Sequence, residues 1–324
     1  MFLTISFLII GFAALIKGAD WLVEGASSVA KKIGVSPLII GLTIVAFGTS
    51  MPELIVNIFA SIQGSQALAI GNIVGSNVAN ILLILGISAI IFPLVAKSQT
   101  VRYEMSFAVG AMILLAILVI SDQFFGGNSM FISRFDGAIL LLGFAGFMFY
   151  IFRQTKKHPD RKLEKEESES VKEIKIGKSW LMIVAGVAGL TIGGKLIVDS
   201  ATEIAATFGV SEGLIGLTIV AVGTSLPELM TSAVAAWRKN ADIAIGNVVG
   251  SNIFNALWIL GVSSLIRPLP FNANSLIDLF VAIGATLLLW AILLFNKHKI
   301  GRWNGVIFVV IYVAYIVFLV VQSK

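Results

Sequence analysis

The sequence predicts an all-α polytopic membrane protein, with ten transmembrane helices as two inverted five-helix repeats. Three observations predict it. The 324 residues are 57% hydrophobic and only 13% charged, with a mean hydropathy of +0.97. A soluble chain carries about 25% charged residues, so this one lacks the polar groups to cover a water-facing surface. Apolar stretches of spanning length recur along the chain, and one block of sequence occurs twice.

The composition excludes a soluble enzyme, a disordered protein and a nucleic-acid binder. With no cysteine there is no disulfide, thiolate metal site or cysteine nucleophile. The two histidines, His158 and His298, lie in charged segments, so no histidine-rich zinc site is expected.

A bilayer crossing needs about 20 apolar residues. Ten stretches qualify: 2–24, 37–61, 67–92, 104–121, 135–152, 179–200, 212–236, 242–266, 275–295 and 303–322. The first has no basic segment before it and no small-residue cleavage site after it, so a true span is expected. The runs are continuous rather than alternating, which argues against a β-barrel. Residues 1–152 form the first predicted repeat and 179–324 the second. Between them, 153–178 is polar and dense in charge and is expected to be a solvated cytoplasmic loop.

Positive charge sets the expected orientation. With the central loop cytoplasmic, eighteen Lys and Arg fall inside and three outside, namely Arg134, Arg267 and Lys324. Lys17 and Lys195 fall within spans. Both termini are then extracellular, in a multi-pass protein of the cell membrane. Asp20, Glu24 and Asp199 also lie on the first and sixth spans, and are expected to pair or snorkel with these lysines.

Residues 41–54, GLTIVAFGTSMPEL, match 216–229, GLTIVAVGTSLPEL, at twelve of fourteen positions. At the same offset of 175, GNIVGSNVAN (71–80) matches GNVVGSNIFN (246–255). The repeated motifs thus span 41–80 and 216–255. Five spans separate equivalent positions, so the second copy is inverted. Inverted repeats about an in-plane axis mark secondary transporters, with the site near the midplane.

Each copy places a carboxylate in mid-span, Glu53 and Glu228. A charge at that depth costs at least about 2.5–3.5 kcal/mol, and a bound cation offsets it. Thr49 and Ser50 precede Glu53 by four and three residues, on its side of a helix. Thr224 and Ser225 do the same for Glu228. Pro52 and Pro227, near Gly48 and Gly223, should break the helix. Carbonyls of Ala46, Phe47 and Gly48, and of Ala221, Val222 and Gly223, are then expected to be freed. The second motif gives stripes of Asn72, Ser76, Asn80 and of Asn247, Ser251, Asn255. Ser76, Asn80, Ser251 and Asn255 are expected ligands. Asn77 and Asn252 point off the stripe and are expected to pack or hydrogen bond. Carboxylate, hydroxyl, amide and carbonyl oxygens suit hard cations such as calcium, magnesium or alkali ions. Two glutamates neutralise one divalent ion or two monovalent ones.

The paired GTSMPEL/GTSLPEL and GNIVGSNVAN/GNVVGSNIFN motifs resemble the two α-repeats of the sodium/calcium exchanger family, within the calcium/cation antiporter superfamily. The resemblance covers nearly the whole chain, in a prokaryotic type without large regulatory domains. It implies ten helices, alternating access and the exchange of several sodium ions for one calcium. By position, Glu53 and Glu228 would ligate both ions. Thr49, Ser50, Thr224, Ser225, Ser76 and Ser251 would supply hydroxyls, and the carbonyls of Ala46 and Ala221 would bind sodium. Asn80 and Asn255 match positions where some members carry Asp. The first and sixth helices would be the moving gate.

A calcium/proton antiporter is the alternative within the class, because carboxylates carry protons. A calcium-permeable channel fits less well, since channels build pores by oligomeric symmetry. An enzyme is not expected, because no Ser/Lys, paired Asp or His/Glu constellation is present. No cofactor is expected beyond the transported Ca2+ and Na+, and no partner beyond these ions and the lipid bilayer; neither nucleic acid nor an obligate protein partner is implied.

Overall fold

The structure, a computed structural model, describes residues 2–98, 100–121, 130–157, 174–208 and 221–322. Eleven helices carry the architecture of the described residues: α1 (Phe2–Ile33), α2 (Pro37–Thr49), α3 (Met51–Gln63), α4 (Gln66–Ile91), α5 (Thr100–Val119), α6 (Arg134–Lys157), α7 (Ile176–Thr207), α8 (Leu226–Trp237), α9 (Ala241–Ile266), α10 (Ala273–Phe295) and α11 (Arg302–Gln322). Four two-residue strands join them: β1 (Leu94–Val95), β2 (Phe131–Ile132), β3 (Leu269–Pro270) and β4 (Lys299–Ile300).

Among the described residues, eight helices are long and apolar enough to cross a membrane. The pair α2 and α3, bent by 47° at the break, brings the number to nine when counted as one broken span. The described residues thus account for eight or nine of the expected ten. Residues 212–220 of the expected seventh span lie outside the described residues, as does most of the central loop. Beyond residue 220 the chain forms a helical turn, Ala221–Gly223, and then the twelve-residue α8.

α1 and α7 each run 32 residues, well past the expected 2–24 and 179–200. At 1.5 Å per residue each is about 48 Å long, more than the hydrocarbon core, so each must tilt or project beyond it. They pack along a stripe of small residues. A Cβ added to Gly193 would lie 2.7 Å from the Gly11 carbonyl oxygen, and one on Gly186 would lie 2.8 Å from that of Gly18. Only glycine permits such backbone approach. The pairs obey the repeat, since Gly11 and Gly186, like Gly18 and Gly193, are 175 residues apart. The charges on these helices pair as expected: Lys17 with Asp20 at 3.3 Å and Lys195 with Asp199 at 2.7 Å. Arg238 adds a pairing that the sequence did not suggest. It bonds Asp20 and also Glu24, the latter at 3.4 Å, and so ties the end of α8 to α1.

α2 starts conventionally. Ser36 caps the Ile39 N–H, and Pro37 occupies the first turn, where a missing N–H costs nothing. α3 ends at Gly64 in the left-handed region (φ 83°), and Lys239 (φ 59°) plays the same part after α8 despite its side chain. The repeat offset survives in the backbone elsewhere. A π-helical turn covers Asn80–Ile84 in α4, and another in α9 (Phe254–Ile259) covers the equivalent residues and opens one residue earlier, where the motifs end. Such turns add a residue to the helix and concentrate at functional sites.

The strands pair β1 with β4 (Leu94 opposite Ile300) and β2 with β3 (Ile132 opposite Leu269). They bind the end of α4 to the start of α11, and the end of α9 to the start of α6. Burial separates core from rim. In the span windows, 94% of α9 and 78% of α4 is buried, against 22% of α11. α4 and α9, which carry the second motif, therefore form the centre of the molecule.

Candidate cation-binding site

Pro52 and Pro227 do break their helices, and the break moves the carboxylates. Ser50 (φ −84°, ψ 7°) and Ser225 (φ −88°, ψ 7°) leave helical geometry, and α3 and α8 begin immediately after them. Each proline then sits in a first turn, where its missing N–H leaves no bond unmade. Glu53 and Glu228 occupy those same first turns. There the unpaired N–H groups and the positive end of the helix dipole favour negative charge.

Both carboxylates are 1% exposed, and among the described residues neither pairs with a Lys or Arg. Their hydroxyl partners come from the opposite half. Ser50 donates to Glu228 Oε1 at 3.0 Å, and Ser225 to Glu53 Oε1 at 3.3 Å. Ser50 also bonds Ser251 Oγ at 3.0 Å, and Ser225 bonds Ser76 Oγ at 3.1 Å. This corrects the expectation that each serine serves the glutamate three residues on. The bend turns Ser50 away from its own α3 and toward α8 and α9.

Asn80 and Asn255 lie one turn beyond Ser76 and Ser251, on the same helix faces. Glu53 Oε2, Glu228 Oε2, Asn80 Oδ1 and Asn255 Oδ1 are all buried without a hydrogen-bond partner. An unpaired buried carboxylate oxygen is costly, and a coordinated cation removes the cost. Calcium takes six to eight oxygens, so these four and the adjoining serine hydroxyls form a chemically suitable set. Among the described residues no cluster of three or more His, Cys, Asp or Glu is present, which keeps the donor set to two carboxylates and neutral oxygens.

Each threonine also bonds an asparagine of the other half's second motif. Thr49 donates to Asn247 Oδ1 at 3.0 Å, and Thr224 to Asn72 Oδ1 at 3.2 Å. Asn247 in turn donates to Ser232 Oγ at 3.0 Å, and Asn72 to Asn57 Oδ1 at 2.8 Å. Asn57 and Ser232 are fully buried and occupy equivalent positions, but sequence comparison passed over them because Asn and Ser differ. The Ala46 carbonyl is not freed by the break. It accepts the Ser50 N–H at 3.0 Å and lies 3.3 Å from the Thr49 hydroxyl. In the second half the chain turns more tightly, with the Ser225 N–H on the Val222 carbonyl at 3.2 Å. Ala221 opens that turn at the edge of the described residues.

The family model for sodium/calcium exchanger protein matches residues 3–153 and 178–321. The chain belongs to the sodium/calcium exchanger family. It is 33% identical to the sodium/calcium exchanger MaX1 of Methanosarcina acetivorans, over 98% of this chain and 99% of that one. It is 34% identical to the inner membrane protein YrbG of Escherichia coli, over 95% and 94%. Among solved structures, the sodium-calcium exchanger NCX_Mj, soaked with sodium and no calcium, superposes with a TM-score of 0.81 at 32% identity, covering 98% of each chain. The protein is thus a multi-pass membrane protein of a transporter family, with the fold of that exchanger.

Proposed function

We propose that the protein is a secondary antiporter that exchanges sodium for calcium by alternating access at the Glu53/Glu228 site. One observation carries this: two buried carboxylates, each held by a serine of the other half, with one oxygen apiece left unbonded. Two negative charges in a low-dielectric site require matching positive charge. One calcium or two sodium ions supply it, so a single cage suits alternate occupancy. Residues 1–152 and 179–324 act as the two inverted halves of this reading, with α1 and α7 as the moving pair and 153–178 as their linker. The sodium/calcium exchangers among the relatives support the choice of ions.

The amides at Asn80 and Asn255 bear on coupling. An amide offers oxygen without charge, so a co-transported potassium ion would find no third carboxylate. Calcium uptake into proteoliposomes should follow an opposing sodium gradient with sodium as the only alkali ion. Potassium added on the calcium side should leave the rate unchanged, and net charge should move with each cycle. A strict potassium requirement, or uptake driven by a proton gradient and indifferent to sodium, would contradict the proposal.

A further inference from the structure

An amide has two ends of nearly equal size and opposite character. At a cation site the difference is decisive, because oxygen coordinates and NH2 repels. Four asparagines meet where α4 and α9 cross, and their bonds orient one another. Asn252 Nδ2 donates to the Asn77 backbone carbonyl at 3.2 Å, and Asn80 Nδ2 donates to Asn252 Oδ1 at 2.9 Å. In the other half, Asn77 Nδ2 faces the Asn252 carbonyl and Met112 Sδ, both at 3.5 Å, and Asn255 Nδ2 donates to Asn77 Oδ1 at 3.0 Å.

A backbone carbonyl only accepts. The carbonyl of Asn77 therefore fixes which end of Asn252 faces it, and leaves Asn252 Oδ1 toward Asn80. That oxygen can only receive Asn80 Nδ2, so Asn80 Oδ1 is turned away. It is one of the four buried oxygens without a partner, and Asn255 Oδ1 is another. All four residues are at most 4% exposed, so water does not compete for these bonds.

We infer that Asn77 and Asn252 are positioning residues, which set Asn80 and Asn255 with oxygen rather than nitrogen toward the ion. This rests on the reading of Asn80 and Asn255 as ligands. Without Asn252, the Asn80 amide loses the partner for its NH2 group. The nearby carboxylates then attract that group, and the amide reverses.

The test is the calcium KM, set against kcat, in proteoliposomes. Asn252→Leu keeps the volume and removes both amide ends. It should raise KM roughly 10–100-fold, the range for groups that orient a metal ligand, with a smaller change in kcat. Adding Asn80→Asp in that background should recover most of the loss, because a carboxylate has no wrong way round. A merely structural role would not be rescued this way. A native KM in Asn252→Leu, or an equally raised KM in the double variant, overturns the inference. Asn80→Ala separates the two levels. A native KM there overturns the ligand reading as well, whereas a raised KM there beside a native one in Asn252→Leu overturns the positioning alone. Should Asn252→Leu fail to fold, Asn77→Leu with Asn255→Asp makes the same measurement on the other half.

Discussion

Glu53→Gln and Glu228→Gln are each expected to abolish calcium transport while leaving the protein folded. Gln keeps the shape and an oxygen to accept the Ser225 or Ser50 hydroxyl. It removes one of two charges that balance a divalent ion. Breaking a buried charge pair costs about 3–5 kcal/mol, and at 1.4 kcal/mol per tenfold that is roughly two to three and a half orders of magnitude in affinity. The sign for stability is the opposite. Without an ion, each substitution deletes an unpaired buried charge, so the melting temperature of the ion-free protein should hold or rise. Added calcium should no longer raise it. Flux and thermal unfolding on the same samples check both. Near-native flux in either variant would remove these glutamates from the site.

Gly193→Val is expected to part α1 from α7, and to lower both melting temperature and turnover. The added Cβ would meet backbone, the Gly11 carbonyl oxygen at 2.7 Å and the Leu15 nitrogen at 2.8 Å. Backbone cannot rotate away as a side chain can, so the helices must separate. Overpacking of this kind costs about 1–3 kcal/mol. Gly146 on α6 is the control, because a Cβ there meets nothing within 4 Å among the described residues. Gly146→Ala should be neutral, or stabilising by up to about 1 kcal/mol from helix propensity. Equal behaviour of the two variants, by thermal unfolding in detergent, would mean that the close packing of α1 on α7 does not matter.

The candidate site's composition was legible in sequence because polar residues inside a membrane are expensive and here occur in duplicate. Glu53, Ser50, Ser76 and Asn80 each reappear at an offset of 175, and Pro52 marks the break. Their connectivity was not legible. Helical spacing puts Ser50 beside Glu53 only if the helix continues, whereas the chain bends at Ser50 and sends its hydroxyl across to Glu228. Asn77 lies off the stripe by periodicity, and its bond to Asn255 depends on how α4 crosses α9. Lys97 and Asp242, paired at 3.1 Å, lie 145 residues apart with no motif to link them. The span ends were blurred for a different reason. α1 continues to Ile33 through Ser27, Ser28, Lys31 and Lys32, where helix propensity persists after hydropathy has fallen.

Calcium binding to the purified protein, titrated at rising sodium concentration, tests the central claim most directly. One shared cage predicts that sodium displaces calcium completely, that an equal concentration of potassium does not, and that both Glu53→Gln and Glu228→Gln lose the competed binding. Calcium binding that is indifferent to sodium, or that survives in both variants, would contradict exchange at this site.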